Sequence, residues 1–188
     1  MKQAKRGFVP SDEREFGEGG DKIASRLSRE VKSIEGETLY IDGFNVIIGL
    51  EIAYSDSLLF YCMDGTVRDL AGLRGTYRLI PETDMAVKAL LETLDELKVG
   101  KAVIYLDRPV SNSGRLKQKI LDYASDMSFE TKVIIEDAVD YELKRKPLVA
   151  SGDAIILDEC DKWFNLVKCV ISRRIGEYTY INIWGGEL

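Results

Sequence analysis

Residues 39–45 read Leu-Tyr-Ile-Asp-Gly-Phe-Asn: an apolar run, a carboxylate, then a glycine that lets the backbone turn sharply. The carboxylate at the end of an apolar run recurs along the chain. Val103–Leu106 runs into Asp107, Val133–Ile135 into Glu136 and Asp137, and Leu148–Ala150 into Ser151-Gly152-Asp153. In an open parallel sheet, functional groups gather beyond the carboxyl ends of the strands. The acids are therefore expected at one edge, where they must repel one another or share a cation. Mg²⁺ and Mn²⁺ take oxygen ligands from a few carboxylates and leave other positions to water and phosphate. The leading reading is a metal-dependent phosphodiesterase centre acting on RNA.

Between these runs the apolar spacing becomes helical. Val87, Leu90, Leu91, Leu94 and Leu97 form a stripe after Pro81, with Gly100 as the stop. Leu116, Ile120, Leu121 and Ala124 repeat it after Asp107, with Ser111 or Ser113 as the cap. Only about ten residues separate Asp137 from Leu148, near the minimum for a parallel crossover, so Val139–Lys146 must be a compact helix. Beyond Asp153 the pattern predicts a helix at Ile155–Cys160, a strand or turn at Trp163–Asn165, a helix to Arg174, and a last strand at Tyr178–Trp184. Glu51–Cys62 has a β-like mix and predicts a hairpin, Asp64-Gly65 a turn, and Thr66–Arg74 the start of a short helix. Alternating strands and helices make this an α/β chain with a mainly parallel central sheet. Residues 1–37 form a polar N-terminal extension with one helix at Asp21–Ile34, packed through Ile23, Leu27, Val31 and Ile34. The main domain is residues 38–188.

Composition removes several chemistries. The 188 residues are 45% hydrophobic and suit one domain. A formal charge of −6 argues against coating nucleic acid through bulk positive charge, although local basic groups can still steer a substrate. The absence of histidine excludes Ser-His-Asp and Cys-His nucleophiles, histidine-ligated zinc and histidine-based ribonuclease chemistry. Cys62, Cys160 and Cys169 are odd in number and never spaced as a pair, so neither a disulfide framework nor a zinc ribbon is expected. No apolar run reaches the ~18 residues of a membrane span, and the expectation is a soluble cytoplasmic protein without membrane partners. A homodimer is left open.

Each candidate site residue has a plain structural reading beside the chemical one. Asp42 can reach a metal from its strand end, and Asn45 can orient that carboxylate or a water; the same tetrapeptide also makes an ordinary Asx turn. Phe44 stands where an aspartyl-phosphate enzyme wants a second Asp. After Asp107, Arg108 and Arg115 offer fork-shaped donors, and Ser111 and Ser113 offer hydroxyls near a helix N-terminus, an arrangement suited to a phosphodiester. Two solvated arginines and a helix cap explain the same residues. Asp137 and Asp140 lie three apart, and Asp140 is chosen for the centre, although acids at a helix start also favour the dipole. Ser151 can hold water or a phosphate oxygen, and Asp153 either joins the acids or merely caps the next helix. Asp64 and Asp69, with Arg68, Arg74 and Arg78, read as a solvated salt-bridged face before they read as site residues from a neighbouring helix, and Lys144-Arg145-Lys146 reads as solvated before it reads as a grip on a nucleic-acid strand. Trp163, Tyr141 and Phe44 read as core before they read as base-stacking.

Ile41-Asp42-Gly43-Phe44-Asn45-Val46-Ile47 resembles the opening of the PIN-like superfamily, in particular its NYN branch. Val149-Ala150-Ser151-Gly152-Asp153 resembles that superfamily's later strand, and Asp107 and Asp140-Tyr141-Glu142 fall where NYN nucleases place intermediate acids. The likeness spans roughly residues 38–170. The fuller run, including residues 64–69 and 107–114, is similar to a conserved archaeal and bacterial family with no assigned activity. The resemblance implies a three-layer α/β/α fold, Mg²⁺ or Mn²⁺ held by Asp42, Asp107, Asp140 and Asp153, and cleavage of single-stranded RNA by a metal-activated water. Val139 departs from the pattern, standing where such nucleases carry an additional acid. Two rival functions stay in view: a catalytically silent RNA- or nucleotide-binding module, and a structural protein whose acids are scattered caps.

Overall fold

The computed structural model describes residues 17–69 and 76–182. In chain order these form α1 (Gly17–Ser28), β1 (Thr38–Asp42), α2 (Gly43–Tyr54), β2 (Phe60–Tyr61), β3 (Val67–Arg68), α3 (Pro81–Glu96), β4 (Lys101–Asp107) and α4 (Ser113–Ala124). There follow β5 (Glu130–Glu136), α5 (Val139–Leu143), β6 (Val149–Ala150), α6 (Ala154–Glu159), α7 (Leu166–Val170), a π-helical turn at Ile171–Ile175, and β7 (Ile181–Asn182).

β5, β4, β1 and β6 make the central sheet in that order, and every pairing is parallel. The chain moves outward from β1 to β4 and β5, then returns across the sheet to lay β6 on the other side of β1. In β4, Ala102, Ile104 and Leu106 join the core shared with α2, α3 and α4, while Val103 and Tyr105 face α5, α6 and Trp163. Strand alternation therefore sends successive side chains to helical layers on both faces. The fold is α/β with a mainly parallel sheet flanked by helices.

The largest departure from the sequence reading lies just after Asp42. Residues 43–54 are one buried helix, and the Glu51–Cys62 hairpin does not form. An apolar run of this length cannot be assigned by periodicity when every face is covered, which is the case for α2. Its start is set by the Asp42 carboxylate, which accepts from the Asn45 amide. A Cβ on Gly43 would stand 2.7 Å from the Tyr105 carbonyl oxygen, so only glycine lets α2 leave the sheet this close to β4. The hairpin instead joins β2 and β3 through the expected turn, with Gly65 at φ 80°. β3 occupies residues where a helix was expected; the remainder of that predicted helix, including Arg74, falls in 70–75, outside the described residues. β7 pairs with β2 rather than with the central sheet, and Trp184 is also outside them.

The N-terminal helix ends at Ser28, short of Val31 and Ile34. Leu27, expected on its buried stripe, is 45% exposed, and Arg26 is buried instead. The reason is electrostatic. Arg26 donates to Asp158 from Nε (2.6 Å) and to the buried Asp64 from a terminal nitrogen (2.8 Å), which outweighs the leucine's preference for the inside. Trp163 is fully buried, donating its indole N–H to the Arg26 carbonyl, and is core as expected. Among the described residues no helix is long and apolar enough to cross a membrane.

Candidate functional site

Register alone places the first two partners. Ile41 pairs with Ala150, so the next residues of the two strands, Asp42 and Ser151, emerge side by side at the carboxyl edge. Ser151 Oγ donates to Asp42 Oδ2 at 2.8 Å and accepts from the Asp153 amide at 3.0 Å. Asn45, on the first turn of α2, accepts the Gly152 amide on Oδ1 at 2.7 Å. From the opposite side Arg68 Nε donates to the Gly152 carbonyl at 2.7 Å. A Cβ at Gly152 would lie 3.2 Å from the Val67 carbonyl oxygen and 3.3 Å from Asn45 Oδ1, so the clamp closes on a residue with no side chain.

The acids are graded in depth. Asp42 is buried, Asp107 and Asp153 are half-buried, and Asp140 is exposed at the rim. Burial pushes the Asp42 carboxyl up to about 7; hydrogen bonds from Ser151 and Asn45 oppose this, and the charges of Asp107 and Asp140 add to it. Burial raises Asp107 as well, with Asp140 adding repulsion. Burial and then Asp153 raise Asp140, partly offset by Lys144. All four predicted metal acids thus share one field. Among the described residues, however, no group of three or more carboxylates or cysteines comes close enough to hold one ion. The donor chemistry suits a hard cation, since each Asp42 oxygen keeps a lone pair beyond its single hydrogen bond. Joint coordination would require the acids to draw together.

The choice of Asp140 over Asp137 is explained by the surroundings. Asp137 pairs with Arg108 at 3.1 Å on the exposed end of β5, and Arg108 also donates to the Ile135 carbonyl. Val139 is buried against Tyr105, Ile156 and Trp163, so an acid there would be unsolvated. The Asp153 carboxylate caps α6, accepting the Ile155 amide at 2.6 Å, so its capping role is real beside its place among the acids. Ser111 is occupied elsewhere: its hydroxyl accepts from the Tyr77 amide (2.8 Å) and donates to the Tyr77 carbonyl (3.0 Å). Ser113 is buried, Arg115 is exposed on the first turn of α4, and the cap position belongs to Asn112 at φ 63° rather than to either serine.

Two groups escape the sequence reading. Asp64 is not solvated but 2% exposed, accepting from Thr66, Arg26 and Arg68. Burial alone would raise its carboxyl; these donors hold it below the usual range. Glu51 is buried between Tyr77 and Thr83. A lone acid inside the apolar run 43–54 was its signal.

The Asp42 shift has a measurable consequence. Between about pH 4 and 7 the folded chain keeps a proton that the unfolded chain has lost, so stability falls as pH rises through that window and levels above it. At most about 4 kcal/mol is involved. Thermal melts of the metal-free chain should show Tm declining from about pH 4 to 7, and Asp42→Asn should flatten that decline; parallel profiles for the two proteins would refute the assignment.

Residues 31–169 match the family described as Domain of unknown function (DUF5616). An uncharacterized protein of Methanocaldococcus jannaschii is 40% identical over 136 residues, which cover 72% of this chain. The chain spans 65% of that relative's length. No solved structure matches.

Proposed function

This chain belongs to the DUF5616 family, and from that premise we propose that it is a metal-dependent endoribonuclease on a PIN-like fold. The observation that carries the proposal is positional: Asp42, Asp107 and Asp153 stand at or just past the carboxyl ends of the neighbouring parallel strands β1, β4 and β6, and Asp140 follows on α5, which packs on β1 and β4. Mg²⁺ or Mn²⁺ held by these carboxylates would supply Lewis acidity to the scissile phosphate and acidify a water. The chain's own residues do the positioning. Ser151 fixes one oxygen of Asp42, and Asn45 and Arg68 hold the 151–153 loop against it. Asp140, the outermost acid, is placed to orient a water at the rim. Arg115, exposed on α4, offers the phosphodiester a fork of donors, and Arg108 does so once it leaves Asp137. Ser111 contributes by tying the loop after Asp107 to Tyr77 rather than by touching phosphate, and Ser113 remains a candidate hydroxyl for the phosphodiester.

A second reading, a binding module that holds RNA without turnover, is favoured by one observation: the acids do not close to common coordination distance. The two separate cleanly. Purified full chain with Mn²⁺ and end-labelled single-stranded RNA should yield shortened products that vanish with chelator. Saturable binding with no products would establish the second reading and remove the first.

A further inference from the structure

We propose that Tyr141 and Arg145 form a stacking platform for an unpaired nucleobase beside the acid centre; this deepens the nuclease reading by naming how its substrate is gripped. Tyr141 follows Asp140 on α5 and is 55% exposed. Exposure of a large ring is ordinary, but this one is held. The Arg145 guanidinium lies 5.2 Å from the ring centroid and donates to the Tyr141 hydroxyl at 3.0 Å. A ring fixed in this way loses little freedom when a second planar group stacks on it.

The basic run around it has been divided up by the fold. Lys144 pairs with Glu159 at 2.8 Å, and Lys146 pairs with Glu142 while lying over the Tyr40 and Tyr105 rings. Arg145 alone of the three makes no ion pair among the described residues. It therefore presents a planar cation with an aromatic ring, two surfaces that accept any base face. Ile155, 58% exposed on the first turn of α6 and two residues from Asp153, widens the apolar rim, and α5 packs against α6. Each of these exposed apolar side chains lies within two residues of one of the acids along the chain.

Charge favours stacking over phosphate contacts as the source of affinity. A chain with a net charge of −6 and four repelling acids at its site gains little from counterion release. Contacts to base faces are sequence-tolerant, do not depend on that field, and require an unpaired strand. The occupant is accordingly a single-stranded nucleic acid, not a duplex.

The test uses the full chain carrying Asp42→Asn, which keeps the strand intact, and a single-stranded oligoribonucleotide containing 2-aminopurine, with Mn²⁺ present. A phosphorothioate strand with the unaltered chain serves as a second measurement. Binding should quench the fluorophore. Tyr141→Ala should weaken binding roughly 5- to 100-fold, the range of one base–aromatic stack, and abolish the quench. Tyr141→Phe should keep both, and Arg145→Ala should fall between. The proposal is overturned if the alanine and phenylalanine variants bind alike, if a duplex of the same sequence binds as tightly, or if no strand binds. Tyr141-dependent quenching by a chain that cleaves nothing would sustain the platform while removing the nuclease.

Discussion

Asp42→Asn is expected to lower Mn²⁺-dependent cleavage of single-stranded RNA by about 10³-fold or more. That corresponds to the several kcal/mol of charge stabilisation a site-bound metal supplies. The substitution is nearly isosteric, and an amide oxygen can still accept from Ser151 as Asp42 Oδ2 does now. It removes the most buried charge of the four acids, the one whose burial and acidic neighbours leave it most in need of a cation. Asp153→Asn should lose activity comparably, with a small additional loss of stability from the weakened α6 cap. Initial rates, alongside circular dichroism and thermal melts, separate lost chemistry from lost fold. Undiminished cleavage by both folded variants would sink the assignment of these acids.

The largest effect on stability is expected at a different acid. Asp64→Asn should destabilise the fold by about 3 kcal/mol, the lower end of the cost of removing one partner from a buried ion pair, because Arg26 keeps Asp158. Asp64 Oδ2 receives Arg26 at 2.8 Å and Arg68 at 2.5 Å, and Oδ1 receives the Thr66 amide and hydroxyl. Neutralising it leaves Arg26, whose side chain is 10% exposed, with Asp158 as its remaining anionic partner. At ~2–4 °C per kcal/mol for a chain this size, Tm should fall by roughly 10 °C. The exposed Lys98–Glu35 pair is the internal contrast, since Lys98→Ala should move stability by less than about 0.5 kcal/mol. Equal Tm shifts for the two variants would show that the Asp64 network is no more than a surface pair. Because Arg68 also holds the Gly152 carbonyl, Asp64→Asn should loosen the 151–153 loop as well.

The two errors around Asp64 and α2 share a cause. Sequence reading treats charge as a marker of solvent and an unbroken apolar run as ambiguous. Asp64 is buried because two arginines, one of them 38 residues away, converge on it. Residues 43–54 are helical because α3 and α7 cover the faces that a strand would have left open. Neither condition is written locally. Ser111 is a milder case: its hydroxyl looked available for phosphate until Tyr77 was brought against it.

Local pattern was enough to mark the strand ends. An apolar run stopped by a carboxylate needs no distant partner to be read, and β1, β4 and β5 each finish on such an acid, while β6 finishes just before Ser151-Gly152-Asp153. Composition also determined what is chemically absent, because no arrangement of a chain without histidine restores an imidazole. Only the tertiary structure decided which acids feel one another. Asp140 joins Asp42 and Asp107 while Asp137, three residues earlier, is turned toward Arg108. The physical reason is that electrostatic coupling depends on distance and burial, and both are set by which strands lie side by side, not by separation along the chain.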